Sequence, residues 1–174
     1  LRKLHIDLRP LLFRKILSAF GGKLRIIIVG GAPLRPELVR TFDDYGVNII
    51  NGYGITECSP LVTCNRDKLN TPGTVGFPLP CLSLKIADPD AEGNGEVRVK
   101  GENVMMGYYE DPEETKSAFT ADGWFRTGDI GYMDEDGYIF ITGRKKSVIV
   151  LENGKNVFPE EIEEYLEKID LIAE

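Results

Sequence analysis

Residues 26–34 read IIIVGGAPL, and this stretch decides how the first part of the chain folds. Its first four residues are all β-branched and apolar, a composition that favours a strand. The run is far shorter than the roughly 20 residues that a membrane-spanning helix needs. We therefore predict a buried strand over residues 24–29. The two glycines that follow indicate a tight turn at its end.

The sequence on either side of this strand predicts helices. Residues 8–20 place their apolar side chains near helical spacing and are followed by two glycines, which indicates an amphipathic helix. After the turn, Pro36 opens a second helix that ends at Gly46, and residues 47–50 form the next strand. A helix between two neighbouring strands implies that the strands are parallel and joined by a right-handed crossover.

From about residue 61 the pattern changes to antiparallel β-structure. Alternating apolar and polar residues at 83–86 and 96–99 predict two strands, and residues 134–137 predict a hairpin turn. A short helix at about 111–118 interrupts these strands.

Beyond residue 143 the pattern changes again. The sequence predicts a strand over 148–151, a turn at Asn153 and Gly154, and a helix that begins at Pro159.

The composition excludes several classes of protein. The chain has 174 residues, of which 42% are apolar and 28% charged, as in soluble globular proteins. Its net charge of −7 gives no electrostatic reason to expect nucleic acid or an anionic membrane as a partner, so we expect at most peripheral membrane association. The sequence opens at Leu1 without the apolar run of a signal peptide, and we expect it to begin within a longer protein.

The cysteines and the single histidine limit the kinds of metal site and catalysis that the chain could support. Cys58, Cys64 and Cys81 are odd in number, lack C-x-x-C spacing and have no histidine nearby, which argues against zinc and against a disulfide framework. Reduced thiols in the cytoplasm fit best. His5 lies in an amphipathic stretch, so any chemistry must proceed without a histidine base. Cys58 is also a poor nucleophile, because the neighbouring charge of Glu57 raises the pKa of its thiol.

Two motifs follow the two predicted parallel strands. Residues 30–32 (GGA) lie at the carboxyl end of the first strand, where open α/β sheets bind ligands, and small residues there let a planar ring lie against the backbone. Residues 51–57 (NGYGITE) combine an aromatic ring, a hydroxyl group and a carboxylate. Tyr53 suits stacking on a base, Thr56 a phosphate oxygen and Glu57 a Mg²⁺ ion. The alternatives are an ordinary glycine turn and a loosened turn with a core tyrosine.

Two further motifs occur later in the chain. Residues 124–129 (WFRTGD) end in Asp129, which a tight turn would hold in place to accept hydrogen bonds from a ribose diol. Residues 143–146 (GRKK) carry Arg144, whose guanidinium suits ribose or phosphate. Alone, the first could be an ordinary turn and the second a solvated basic corner.

The ordered succession of these four motifs resembles the adenylate-forming superfamily of acyl-CoA synthetases, luciferases and peptide-synthetase adenylation domains. Residues 95–109 are similar to the family's barrel signature, and residues 154–163 to the entry of its C-terminal domain. The resemblance implies an α/β fold with added antiparallel β-structure. It would comprise part of the large N-terminal domain, with parallel α/β layers and a distorted β-barrel, and the start of a small C-terminal lid domain.

Domain boundaries and residue roles follow from the same resemblance. It implies an α/β portion at 1–60, a barrel-like subdomain at 61–143, and a hinge with the start of the lid at 144–174. The glycine-rich turns would line the adenine and acyl pocket, Tyr53 would stack on adenine, and Thr56 would contact the adenylate phosphate. Glu57 would bind Mg²⁺, and Asp129 and Arg144 would contact the ribose. Lys146 would be the hinge. The pocket-lining residues are Gly30, Gly31, Ala32 and Gly52.

The branch of the family is indicated by residues 20–25 and 151–157, which resemble bacterial long-chain fatty acid CoA ligases. Such an enzyme uses ATP, Mg²⁺, CoA and a fatty acid, and forms acyl-AMP before the thioester. Ser147 replaces an aspartate found in many members, and Asn156 replaces an arginine of some short-chain members, which counts against an acetate-type enzyme.

The family's phosphate loop and its C-terminal lysine have no counterpart in these residues, so we expect the chain alone to be inactive. Two alternatives to this activity stay open. One is an acyl-AMP ligase that uses a carrier protein, and the other is a non-catalytic adenylate-binding or purely structural module. We also expect exposed apolar surface beside the first strand, with a homo-oligomer as one outcome.

Overall fold

The computed structural model describes residues 7–32, 34–151 and 156–166. Its first elements are α1 (Arg9–Leu12), α2 (Arg14–Ala19), β1 (Ile26–Val29), α3 (Pro36–Tyr45) and β2 (Asn48–Gly54). The strands β1 and β2 are parallel and α3 connects them, which confirms the prediction from the alternating pattern. The predicted helix over 8–20 is divided at Phe13, which lies between α1 and α2.

The prediction that the first strand is buried was wrong. Strand β1 forms an edge of its sheet, and every second side chain points away from the protein. Ile26 is 43% exposed and Ile28 is 76% exposed. An apolar sequence predicts burial only when neighbouring elements cover both faces, and here one face has no covering element among residues 7–32, 34–151 and 156–166.

The first sheet continues beyond the second motif. A one-turn 3-10 helix (Thr56–Cys58) follows β2 and leads into β3 (Leu61–Cys64) and β4 (Phe77–Pro78). The strand order is β1-β2-β3-β4, and β3 is antiparallel to both of its neighbours, so the sheet is mixed. This sheet crosses residue 60, and the division into portions 1–60, 61–143 and 144–174 stays a prediction.

The second sheet is an antiparallel meander. It consists of β5 (Leu82–Ala87), β6 (Gly95–Gly101), β7 (Phe125–Met133) and β8 (Ile139–Arg144), with α4 (Pro112–Ala118) between β6 and β7. The predicted strands, hairpin turn and short helix are confirmed. Val97 and Val99 are fully buried in the core of this sheet. Cys58, from the one-turn helix, and Val62, from β3, pack into the same core.

A short backbone junction joins the two sheets. The Val75 amide donates to the Ile139 carbonyl at 2.9 Å, and the Ile139 amide donates to the Gly76 carbonyl at 2.9 Å. Gly76 has φ +80°, and a Cβ there would overlap the backbone of Cys64 and Asn65. Glycine is therefore required at this position both by its conformation and by the close approach of the chain.

The last described elements pack beside the second sheet. Strands β9 (Ile149–Val150) and β10 (Asn156–Val157) are antiparallel, and α5 (Pro159–Leu166) begins at the predicted proline. Phe158, just before α5, is 5% exposed. The predicted turn at Asn153 and Gly154 lies outside the described residues. Within the ranges given above, no helix is long and apolar enough to cross a bilayer.

Candidate functional site

The glycine turn and the second motif lie side by side. Val29 is the register partner of Asn51, so the chain leaves β1 next to the middle of β2. A Cβ placed on Gly30 would lie 3.4 Å from the carbonyl oxygen of Gly52, which shows how closely the backbones approach. Gly31 and Ala32 are both exposed. The glycine turn is therefore an open backbone surface that lies beside the buried backbone of Gly52.

Residues 51–54 of the second motif belong to strand β2, whereas the sequence predicted that the whole motif follows a strand. Strand β2 extends to Gly54, because Gly52 and Tyr53 pair with Cys64 and Thr63 of β3. The register shifts between Tyr53 and Gly54, and the strand ends there. Tyr53 is consequently held on a paired strand with its ring partly buried.

Tyr53 contacts Asp129, although the two residues are 76 positions apart in the chain. The phenol of Tyr53 donates a hydrogen bond to Oδ2 of Asp129 at 2.5 Å, and Asp129 is only 4% exposed. Burial raises the pKa of Tyr53 far above its ordinary value, and the charge of Asp129 raises it further. The phenol therefore stays protonated and remains a donor to the carboxylate.

Asp129 lies within strand β7, so the prediction that a tight turn holds it was wrong. Gly128, which suggested the turn, has φ +72° but sits inside the strand. The amide of Asp129 donates to Oγ1 of Thr127 at 3.1 Å, and the Thr127 hydroxyl donates to the Val97 carbonyl at 2.7 Å. The backbone of Asp129 is thus held by strand pairing and by the half-buried Thr127.

Arg144 approaches Asp129 from the other side. It is the last residue of β8, where it is the register partner of Asp129, and its Nε lies 3.2 Å from Oδ1. The Arg144 side chain is 71% exposed, while that of Asp129 is 5% exposed. The structure therefore brings Tyr53, Asp129 and Arg144 together, with a buried carboxylate between a phenol and a solvent-facing guanidinium.

Thr56 and Glu57 lie in the one-turn helix directly after β2. Thr56 is exposed, and Oε1 of Glu57 accepts a hydrogen bond from the phenol of Tyr108 at 3.1 Å. The Glu57 carbonyl accepts a hydrogen bond from the Met105 amide at 2.7 Å, which fixes the helix against the loop after β6. Burial, and then the hydrogen bond to Glu57, raise the pKa of Tyr108.

The described residues contain no group of three or more histidine, cysteine or acidic side chains that could hold a metal. Glu57 supplies one carboxylate. A single carboxylate is enough for Mg²⁺ when the ion also binds phosphate oxygens of a nucleotide and keeps several waters. Glu57 therefore fits a magnesium ion that arrives with a nucleotide, and does not form a metal site by itself.

Cys58 is a buried thiol next to Glu57. Burial, and to a smaller extent the charge of Glu57, raise its pKa to about 11. The sequence predicted the effect of Glu57 but not the larger effect of burial. At neutral pH the side chain is a protonated thiol, which is a poor nucleophile.

Sequence reasoning missed three residues that support the site: Thr127, Tyr108 and Glu96. Glu96 is 6% exposed and lies within 4 Å of three cations. The charged pair Glu96 and Arg98, two positions apart in a predicted strand, was the available signal, because such residues share one face. No local pattern indicated Tyr108, because its partner Glu57 is distant in sequence. Thr127 lies two positions before Asp129 in the motif at 124–129, and that closeness was the available signal.

A large cavity lies away from this cluster. Its volume is about 860 Å³, and its lining includes Arg25, Arg40, Asp44 and Asn48. These residues include the amino end of β2, whereas the glycine-rich segments lie at the carboxyl ends of the parallel strands. The cavity and the predicted nucleotide residues therefore occupy opposite ends of the first sheet.

The sequence matches a known family over more than half of its length. The profile of the AMP-binding enzyme family matches residues 5–109. The chain is also 43% identical to the long-chain-fatty-acid–CoA ligase FadD15 of Mycobacterium bovis, over 100% of this chain and 28% of that protein. The chain therefore belongs to the AMP-binding enzyme family and spans little more than a quarter of the length of this relative.

Solved structures show the same fold. ATP-bound MatB from Rhodopseudomonas palustris superposes with a TM-score of 0.78 at 35% identity, covering 94% of this chain and 35% of that protein. The o-succinylbenzoate coenzyme A synthetase MenE of Bacillus subtilis, in complex with ATP and a magnesium ion, gives a TM-score of 0.77 at 27% identity, covering 92% of this chain and 36% of that protein. The two sheets are thus part of the adenylate-forming enzyme fold.

Proposed function

We propose that this chain forms the adenylate-binding part of an AMP-forming ligase that activates a long-chain fatty acid and transfers it to CoA. The observation that carries the proposal is the convergence of Tyr53, Asp129 and Arg144, which come from three strands of two sheets. The name and 43% identity of the mycobacterial relative support the fatty acid substrate. The ATP-bound form of MatB and the complex of MenE with ATP and a magnesium ion support the nucleotide.

The proposed nucleotide site uses the polar triad and the open backbone surface beside it. The ribose diol would donate to the Asp129 carboxylate, which is already oriented by Tyr53 and Arg144. Adenine would lie against the ring of Tyr53 and the backbone of the pocket-lining residues, where side chains are small. The exposed hydroxyl of Thr56 would reach the phosphate. The pocket-lining residues in this proposal are Gly30, Gly31, Ala32 and Gly52.

Glu57 is the proposed carboxylate for Mg²⁺, held in one orientation by the phenol of Tyr108. When bound, the ion neutralises negative charge on the nucleotide phosphates. The residues of this chain contribute mainly by positioning and by fixed charge, because no side chain in the site is suited to covalent catalysis. Residues 1–60 and 61–143 would form the nucleotide-binding portions.

Lys146 is the proposed pivot of the segment 144–174. It is exposed and follows Arg144 by two residues, so a backbone rotation there would carry the later residues past the nucleotide without disturbing the ribose contact. Rotation of this kind separates two half-reactions that need different surroundings. The first half-reaction forms acyl-AMP, and the second transfers the acyl group to CoA.

Titration of AMP into the 174-residue chain tests the nucleotide site. We expect weak binding without turnover, and we expect Asp129→Asn to lower the affinity about 10- to 150-fold, because a charged acceptor is worth about 1.5–3 kcal/mol. Asp136→Asn, an exposed aspartate in the hairpin turn, is the matched control. Calorimetry gives both affinities. Equal affinities for the parent and Asp129→Asn would remove Asp129 from the ribose site.

A segment exchange tests the reaction. This chain would replace the matching segment of the Mycobacterium bovis ligase, and pyrophosphate exchange and thioester formation would be measured separately with a long-chain fatty acid. In this chimaera we expect Lys146→Pro to spare the first reaction and to suppress the second, because proline fixes φ near −65°. Equal effects on both reactions would move the pivot elsewhere. Acyl-AMP that is released to a carrier protein but not to CoA would contradict the proposed acceptor.

A further inference from the structure

Two buried carboxylates on neighbouring strands hold two consecutive basic residues. Asp129 on β7 contacts Arg144, and Glu96 on β6 contacts Lys145. The carboxylates are 4% and 6% exposed, while the basic side chains are 71% and 57% exposed. The end of β8 is therefore attached to the second sheet through two ion pairs whose acidic partners are fixed in the protein.

Glu96 divides its two oxygens between different parts of the chain. Oε2 accepts a hydrogen bond from Nε of Arg98 at 2.8 Å and lies 3.7 Å from Nη1 of Arg126. Oε1 faces Nζ of Lys145 at 3.7 Å. A buried carboxylate is costly unless both oxygens have partners, so displacing Lys145 would leave Oε1 without this cation.

The backbone of Lys145 is held as well. Its amide donates to the carbonyl of Gly128 at 2.8 Å, next to Asp129 on β7. Lys146, the following residue, is exposed and takes part in none of the ion pairs found within residues 7–32, 34–151 and 156–166. The ionic attachment to the second sheet thus ends at Lys145.

The chain beyond Lys146 contacts the same region differently. Phe158 is 5% exposed and lines a cavity of about 340 Å³ together with Glu96, Ile130, Lys145 and Val148. Phe158 itself contributes only an apolar side chain, which can leave this position and return without leaving a buried charge unpaired. Breaking either of the two ion pairs before Lys146 would instead leave a buried carboxylate without its cation.

From these contacts we infer that Glu96 is a positioning residue that fixes Lys145 and so sets the boundary between the stationary and the moving side of the proposed hinge. The inference rests on the proposed function, because it assigns a role relative to the pivot at Lys146. It also explains why rotation would begin at Lys146, although Arg144 and Lys145 are equally long and solvent-facing.

The test is amide hydrogen exchange by NMR on the 174-residue chain, with rates corrected for local sequence effects. We expect Lys145→Met to increase exchange at the amides of residues 145 and 147 by up to about fivefold, which corresponds to about 1 kcal/mol, the upper range for an exposed ion pair. Exchange at Val97 and Val99 should not change. Lys145→Arg should preserve the protection, because it keeps the charge.

Glu96→Gln tests the same contact from the acidic side, and Glu135→Gln, in the exposed hairpin turn, is its control. In the double variant of Glu96→Gln and Lys145→Met, the exchange rate at the amide of residue 145 should be little higher than in either single variant. Unchanged exchange at residue 145 in Lys145→Met would overturn the inference. Equal acceleration at Val97 and Val99 would also overturn it, because that result indicates a general role in stability. No nucleotide is present, so a failure here is distinct from a failure to bind AMP.

Discussion

The strands β1 and β6 differ in composition, and the more apolar of the two is the more exposed. All four residues of β1 are apolar and β-branched, yet Ile28 is 76% exposed. Strand β6 carries three charged residues and only two β-branched ones, Val97 and Val99, and both of these are fully buried. Strand β6 lies between two antiparallel neighbours, β5 and β7, supplied by the preceding and following segments of the chain. Within the part of the chain that the structure describes, strand β1 has a neighbour on one side only. The burial of a strand is therefore decided by the elements around it and not by its own sequence.

The proposed site depends on both regions. Tyr53 comes from the first sheet, and Asp129 and Arg144 come from the second, which has the better-packed core. The second sheet would thus act as the rigid support, and the first sheet would contribute the aromatic ring. Five experiments test this contrast, beginning with the largest expected effect on stability and ending with the smallest.

The largest effect is expected in the core of the second sheet. Phe125 is 2% exposed and packs edge-to-face on Phe119 with ring centroids 5.4 Å apart. We expect Phe125→Ala to lower the free energy of unfolding by about 3–5 kcal/mol, because it leaves a cavity. Urea unfolding measures the change. Tyr109→Ala removes an aromatic ring that is 90% exposed and serves as the control, and equal losses would contradict the contrast.

The next effect concerns the junction of the two sheets. Gly76→Ala should lower stability by about 3 kcal/mol, because the left-handed backbone alone costs about 1–3 kcal/mol for other residues and the added Cβ also overlaps Cys64 and Asn65. Gly93 has φ +87° with no atom within 4 Å of a Cβ, so Gly93→Ala isolates the conformational cost. If thermal unfolding shows the same loss for both variants, the close approach at Gly76 is unimportant.

The sequence predicted most secondary structure because the signals were local. The Pro36 start and the Gly46 end of α3, and the alternating residues of β5 and β6, identify these elements without reference to the rest of the molecule. Prediction from the sequence failed where the packing of neighbouring elements determines the local structure. Gly128 suggested a turn, because glycine with a positive φ is common in turns. Pairing with the neighbouring strands nevertheless keeps Gly128 inside β7.

The candidate site was predictable mainly through family resemblance. Residue spacing alone could not show that Tyr53 and Asp129 meet, since 76 positions separate them and the contact forms only when the two sheets pack. The role of Glu96 was hidden for the same reason: its partner Lys145 lies 49 positions away, as their numbers show. Resemblance indicated which residues matter, and the structure shows which atoms meet.

The cysteines provide a chemical measure of how well the two regions pack. Cys58 is fully buried in the shared core with a pKa of about 11, while Cys81 is exposed. At pH 8 we expect iodoacetamide to modify Cys58 much more slowly than Cys81, because Cys58 is buried and its raised pKa keeps the thiol protonated, whereas Cys81 is exposed. Mass spectrometry of the labelled peptides gives both rates.

The raised pKa of Cys58 also predicts a dependence on pH. The folded protein keeps this proton to higher pH than the unfolded chain does, so stability is complete below the ordinary thiol pKa and falls as the pH rises towards 11. Cys58→Ser is unsuitable as a control because it buries a hydroxyl, whereas Cys58→Ala removes the titration. A parent protein with the same decline in stability as Cys58→Ala between pH 9 and 11 would contradict this prediction.

The smallest effect on stability is expected at the exposed edge strand. Ile28→Lys should change the free energy of unfolding by no more than about 0.5 kcal/mol, because the side chain is already 76% exposed. Ile28→Lys should have a larger effect on self-association. An exposed apolar edge strand is a template for pairing with a second copy of the chain, and a lysine in the strand opposes that pairing.

Sedimentation at increasing concentration should show self-association of the parent and its loss in Ile28→Lys. Met133→Lys, at a site that is 43% exposed on the second sheet, should leave association unchanged. A parent that stays monomeric would contradict this use of the edge, and equal loss in both variants would indicate a general effect of charge.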